Sequence, residues 1–351
     1  MNALAVQRVG LVTGVGLDAA STCAAIRGAI DNFQETRFRD HGGEWLMGCE
    51  VPWPGKPLRG EQRLLAMAAR AARECLDGWQ CADCAAVPLL LCLAEGGRPG
   101  RAVRDDGAFL LALEQALGCR FHPSSSIIAG GRVSAAVALL HARRWLAEGV
   151  AERVLVVAVD SLLAAATLAD AEARDRLLSS ENSDGFIAGE AAAALLLAPL
   201  DADADADAGQ LACHGLGFAV EPAHIDSGQP LRADGLTRAI KDALQDAGWG
   251  ESVLQFKIVD ASGGQYPFKE SALAFSRIDR TKRTEFDIWH PADCIGEVGA
   301  PIGLVMLAVL KAACEKAYSR GQRMLAHLGN DDGRRAAMVL AWHPARAGQG
   351  G

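Results

Sequence analysis

The sequence predicts an α/β protein assembled from two similar halves. Short β-rich runs alternate with amphipathic helical segments, as strands do when crossover helices join them, and the same grammar returns in the second half of the chain. A length of 351 residues suits two packed units better than one small core.

The first informative stretch in chain order is Ser125-Ser-Ile-Ile128, an extended run that meets Gly130-Gly131. A helix follows, with an apolar face predicted at Val133, Val137, Leu140 and Trp145 and an end near Gly149. Val154–Val159 comes next and is apolar on both faces, as a strand between two helical layers should be. The segment Asp201-Ala-Asp-Ala-Asp-Ala-Asp-Ala208 carries a carboxylate at every second residue, and self-repulsion with low complexity predicts a solvated loop. Beyond it, Leu236, Ile240, Ala243, Leu244 and Ala247 predict a helix closed by Gly248. Phe256–Ala261 reads as a strand, Pro267–Ile278 as a helix, and Pro301–Ala317 as another, entered through Gly296-Glu-Val-Gly299. The expected organisation is a first half at 1–200, an acidic linker or loop at 201–209, a second half at 210–345 and a disordered tail at 346–351.

Thirty-five basic and 43 acidic residues give a net charge of −8, which argues against sequence-independent binding to nucleic acid or anionic lipid. The longest apolar runs, such as Ala191–Leu200, are about half of what spans a bilayer. Met1–Gly16 has no signal-peptide pattern, so a cytoplasmic location is expected, with the ten cysteines reduced. The one close pair, Cys81 and Cys84, lacks the second pair or histidines that a zinc site needs. No phosphate-binding loop or dinucleotide fingerprint is present, and no cofactor or metal is expected.

Four ordered segments resemble the condensing enzymes of fatty-acid and polyketide synthesis, the β-ketoacyl-acyl-carrier-protein synthases of the thiolase superfamily. These are Val12-Thr-Gly-Val-Gly16, Asn182-Ser-Asp-Gly-Phe-Ile-Ala-Gly-Glu190, Leu231-Arg-Ala-Asp-Gly-Leu236 through Gly248, and Gly296-Glu-Val-Gly299. The resemblance implies a thiolase-like αβαβα five-layer sandwich of two pseudo-symmetric halves, and a homodimer or a heterodimer with a related subunit. Pairing in the dimer is expected through Phe121–Ile128. The family chemistry needs a cysteine thiolate at a helix N-terminus and two histidines that support the enolate.

Threaded on this sequence, those positions are empty. The nucleophile position falls on Gly131, the first histidine on Ser262, the second on Asp293 and the family lysine on Ile288. The phenylalanine gate is replaced by Gly329-Asn-Asp-Asp-Gly333. Cys294 and His290 are the nearest substitutes, read against an inert buried thiol and a packed ring. Gly130-Gly131 reads as a tight turn that needs small residues, or as a backbone cradle for a carbonyl oxygen or anion.

Two functions follow from the resemblance. One is a non-catalytic homologue, a scaffold or adaptor for a protein partner such as an active condensing subunit, an acyl-carrier protein or a type VI secretion effector. The other is an acyltransferase or 3-oxoacyl-acyl-carrier-protein synthase using non-standard residues, Cys294 or Ser262 with Asp293. Asp331 and Asp332 beside Asp293 are expected to repel acyl and malonyl carboxylates unless Arg132, Arg334 or Arg335 pairs with them.

Overall fold

The structure, a computed structural model, describes residues 3–200, 209–279, 281 and 285–345. The acidic linker expected at 201–209 lies outside the described residues except for Gly209, and the tail expected at 346–351 lies outside them entirely. The first half runs β1 (Leu4–Thr13), α1 (Ala19–Arg27), β2 (Gln34–Arg39), β3 (Trp45–Cys49), α2 (Gly60–Cys75), α3 (Cys81–Cys84), β4 (Leu89–Leu93), α4 (Asp106–Leu117), β5 (Ser126–Ala129), α5 (Ser134–Ala147), β6 (Val154–Ser161), α6 (Ala165–Ala173) and β7 (Ala188–Pro199). The second runs β8 (Gln210–Val220), α7 (Asp234–Ala247), β9 (Phe256–Val259), α8 (Gln265–Ile278), β10 (Ile288–Trp289), α9 (Ala292–Ile295), α10 (Ile302–Glu315), β11 (Arg323–Gly329) and β12 (Arg334–His343).

The repeat is visible in the strand order. In the first half β1-β7-β6-β4-β5 lie side by side, and in the second β8-β12-β11-β9-β10 repeat that order. In each the first two pairings are antiparallel and the last two parallel. The halves meet where Leu4–Val6 of β1 pair with Leu211–Cys213 of β8.

Helices fill the remaining layers. α1, α5 and α10 lie between the sheets, α2 and α4 cover the outer face of the first, and α7 and α8 cover that of the second. This is the αβαβα sandwich, and it explains the uniform burial of β6 and β7, which have helices on both sides. It also explains α10, apolar nearly all round because it sits in the central layer. α5 and α10 approach so closely that a Cβ on Gly303 would fall 2.4 Å from the Cβ of Ala135.

That proximity corrects the face expected for α5. Its buried residues are Ala135, Ala136, Ala138, Leu139 and Ala142, whereas Leu140 is exposed. Small side chains let two central helices pack tightly, so alanines share the core-facing side with Val133, Leu139 and Trp145 while Leu140 points out. The extended run read at Ser125–Ile128 is the strand Ser126–Ala129, at the free edge of the first sheet, and the dimer-pairing segment Phe121–Ile128 shares only Ser126–Ile128 with it.

Candidate functional site

Between β5 and α5 the chain reverses through Gly130 and Gly131. Gly131 has φ +64°, the left-handed region that glycine adopts without strain, and it opens a short 3₁₀ turn, Gly131–Val133, that runs into α5. A Cβ at Gly131 would lie 1.9 Å from Oε1 of Glu95, so the Glu95 carboxylate, from the loop after β4, fills the space the turn faces. Asn330 ties the turn down. Its Nδ2 donates to the Gly130 carbonyl at 2.7 Å, and its Oδ1 accepts from the Val133 N–H at 3.2 Å. The Gly130 N–H donates to Ser134 Oγ at 3.1 Å. With the Gly130 and Val133 amides thus engaged, the glycine pair is a tight turn, and these two donors are not free to cradle an anion.

Arg132 is the hub of the site. Its guanidinium lies 3.0 Å from Glu297 Oε2, 2.6 Å from Asp331 Oδ1 and 3.8 Å from Asp260 Oδ2. Glu297 also accepts from Ser262 Oγ at 2.7 Å and from the Gly299 N–H at 2.9 Å. Asp260 accepts from the Gly329 N–H at 2.8 Å, and burial pushes its carboxyl up to about 6 despite Arg132. Burial pushes Asp331 the same way, but Arg132, Arg174 and Arg176 outweigh it and hold that carboxyl below its ordinary value. Behind this layer Arg98 grips Asp160 with both terminal nitrogens, at 2.7 and 2.5 Å. The cluster joins the two halves: Arg132 comes from the turn before α5, Asp260 and Ser262 follow β9, Glu297 precedes α10, and Asp331 lies between β11 and β12.

Two hollows flank Arg132. A cavity of about 150 Å³ lies on the Ser262 side, lined by Tyr266, Glu270, His327, Asn330 and Arg335 among others. A more open cleft of about 460 Å³ lies on the Glu95 side, with Arg98, Arg174, Arg176 and His224 in its wall. Arg132 and Asp331 line both, so the ion pair between them stands as a partition.

The structure brings Gly131 and Ser262 to this cluster and leaves Asp293 out. Asp293 is 62% exposed and lies 2.6 Å from Nδ1 of His290, at the surface. The carboxylate that this segment sends into the site is Glu297, four residues on. Its position is legible in retrospect, because Ala300-Pro-Ile-Gly303 offers a second glycine-ended turn that runs directly into α10. Ile288 is exposed on β10, and His290 packs edge-on against Phe268 at 5.4 Å. Cys294 is buried, and burial pushes its thiol up to about 11. The repulsion expected among Asp293, Asp331 and Asp332 is absent, since Asp331 pairs with Arg132 and Asp332 with Arg334. Glu95 carried no signal in the sequence, because it lies 36 positions before the turn that it fills.

No protein-family model matches the chain, and no curated protein matches its sequence. Solved structures do. At TM-score 0.80 and 16% identity, 97% of this chain aligns with 99% of a chain in the AntDE:AntF structure, a type II PKS acyl-carrier protein in complex with its ketosynthase bound to the hexaketide. The fold is that of a ketosynthase. The ishigamide ketosynthase/chain length factor aligns at TM-score 0.75 and 16% identity over 97% of this chain and 99% of the other. The ketosynthase ApeO in complex with its chain length factor ApeC, from Xenorhabdus doucetiae, aligns at 0.70 and 11% over 97% and 98%. A ketosynthase fold at such identities fixes where each segment lies and leaves the chemistry to the residues themselves. No helix among the described residues is long and apolar enough to cross a membrane.

Proposed function

We propose that this protein is a non-catalytic ketosynthase homologue that serves as a scaffold or adaptor for a protein partner, an active condensing subunit of the same fold being the partner best supported. One observation carries the reading. At the turn where a condensing enzyme holds its nucleophile stands Gly131, and the space in front of it holds a carboxylate, Glu95, instead of a thiol. Ser262 stands for the first histidine, and the geometry offers Glu297 for the second. A serine and a carboxylate locked on a guanidinium cannot replace two imidazoles as donors to an enolate.

The alternative chemistry finds no support in the contacts. Ser262 donates to Glu297, a carboxylate that Arg132 and the Gly299 amide also hold, and no imidazole stands between them to relay a proton. Cys294 is buried with its thiol protonated at neutral pH, and it lies one residue from the outward-facing Asp293 rather than in the cluster.

Support for a partner comes from the free edge at β5, flanked by exposed Leu111 of α4 and Leu140 of α5, and from the company that the aligned ketosynthases keep. The test has two arms. The purified protein is incubated with malonyl- and acyl-thioesters of coenzyme A and of acyl-carrier protein and weighed intact, with no covalent adduct expected. It is then co-expressed with neighbouring condensing subunits, and a stable complex is expected. An adduct on Ser262 or Cys294 would return the acyltransferase reading to first place.

A further inference from the structure

A pair of histidines outside the site has a geometry of its own. His214 lies on β8 and His343 ends β12, the neighbouring antiparallel strand. Their Nε2 atoms are 2.9 Å apart, with ring centroids at 5.1 Å and planes 29° apart. The indole of Trp249 lies against His214 at 4.9 Å and holds that ring in place.

We propose that His214 and His343 form a bidentate site for a divalent transition metal of the Ni²⁺ or Cu²⁺ type. At an imidazole–metal distance of about 2.0–2.1 Å, two donors 2.9 Å apart subtend roughly 90° at the ion. That is the cis angle of a square-planar or octahedral sphere, whereas tetrahedral zinc asks for donors about 3.3 Å apart. As the pair stands, one Nε2–H donates to the other ring's Nε2 lone pair. Metal entry moves that proton to Nδ1 of the donating ring, which frees both Nε2 lone pairs for the ion, with no net proton release and no redox step. Water completes the sphere, since no group of three or more His, Cys, Asp or Glu able to hold a metal exists among the described residues. One fixed charge opposes the ion: Arg323, whose guanidinium lies 5.3 Å from the Trp249 ring. Its positive charge acts on His214, opposes a cation bound there and supplies an independent test.

The untagged, metal-free full chain is titrated with NiCl₂ by calorimetry near pH 7.5. One saturable site of micromolar Kd is expected, with Zn²⁺ weaker. His214→Phe, which keeps a ring against Trp249, and His343→Ala each weaken it about tenfold or more, while Arg323→Gln tightens it severalfold. Circular dichroism of each variant checks that the fold persists. The proposal is overturned if both histidine variants bind Ni²⁺ within about twofold of the parent, or if the parent shows no saturable binding below about 1 mM.

Discussion

Replacing Arg132 by methionine removes the cation that three carboxylates share and keeps most of its bulk. Glu297 and Asp260 are buried, and Asp331 is 39% exposed at its side chain, so its part is largely screened by water. Stranding a buried charge by deleting its partner costs about 3–5 kcal/mol, and with Asp331 discounted the expected loss is near the lower figure. For a chain of this size, with an unfolding entropy of about 2.1 cal/mol/K per residue, that lowers Tm by roughly 4 °C. The pH dependence separates this cause from simple loss of packing. Asp260 already sits at about 6 in the folded protein against an ordinary 3.8, so between those values the folded state binds more protons than the unfolded, and stability falls as pH rises. Without Arg132, which holds the Asp260 carboxyl down, that window extends upward. The gap between variant and parent is therefore widest near pH 7.5 and narrows near pH 5. Equilibrium denaturation at both pH values measures it, and Glu297→Gln added to Arg132→Met should recover about half of the loss. A gap below about 1 kcal/mol at pH 7.5, or one equal at the two pH values, refutes the role assigned to Arg132.

Three further outcomes are expected. Gly131→Cys places a side chain at φ +64° against Glu95 and costs about 1–3 kcal/mol, part of which Glu95→Ala relieves; neither variant decarboxylates a malonyl thioester, and measurable decarboxylation by the single variant contradicts the reading of the site. Light scattering at micromolar concentration shows a dimer of this chain or a stable complex with a related subunit, and Leu111→Asp with Leu140→Asp dissociates it; a lone monomer with every candidate subunit counts against β5 as an interface. Calorimetry with a long-chain acyl-coenzyme A shows no saturable micromolar binding, because the cavity beside Ser262, about 150 Å³, is below the range of about 300–1,000 Å³ that holds sizeable ligands, and the cleft of about 460 Å³ on the Glu95 side is walled mostly by charged side chains rather than an apolar acyl path; such binding, lost on Gly131→Trp, reopens the acyl reading.

How much of this the sequence disclosed depends on what kind of signal each feature leaves. α7 was legible because one face is apolar at helical spacing and Gly248, at φ +68°, ends it. The buried face of α5 was not, because close packing against α10 selects alanines, and periodicity methods weight large side chains. Gly131 and Ser262 both lie at the Arg132 cluster, each following a strand in a motif of fixed length. Asp293 does not reach the cluster and Glu297, four residues on, does, since Gly296-Glu-Val-Gly299 and Ala300-Pro-Ile-Gly303 both end in glycine and only the fold tells which one enters the helix. Glu95 left no local trace at all: its role is set by where β4 ends relative to a turn far along the chain.

The replacements are coupled, and this bears on what the cluster does. A left-handed turn at Gly131 leaves an open face, which Glu95 fills. Arg132 stands beside that turn, and its guanidinium is met by the carboxylates of Glu297 and Asp331 from the other half of the molecule. Asn330 secures the same turn through uncharged bonds to Gly130 and Val133. The Arg132 and Asn330 contacts cross from the first half to the second, so together they fasten the halves at this turn. Groups held by two or three fixed partners are suited to stiffness, and stiffness is what a scaffold requires. A variant that loosens Arg132, in the turn that follows β5, should therefore weaken partner binding along with stability. If Arg132→Met lowers stability as expected yet binds a condensing subunit with unchanged affinity, the cluster serves folding alone and the binding surface is independent of it.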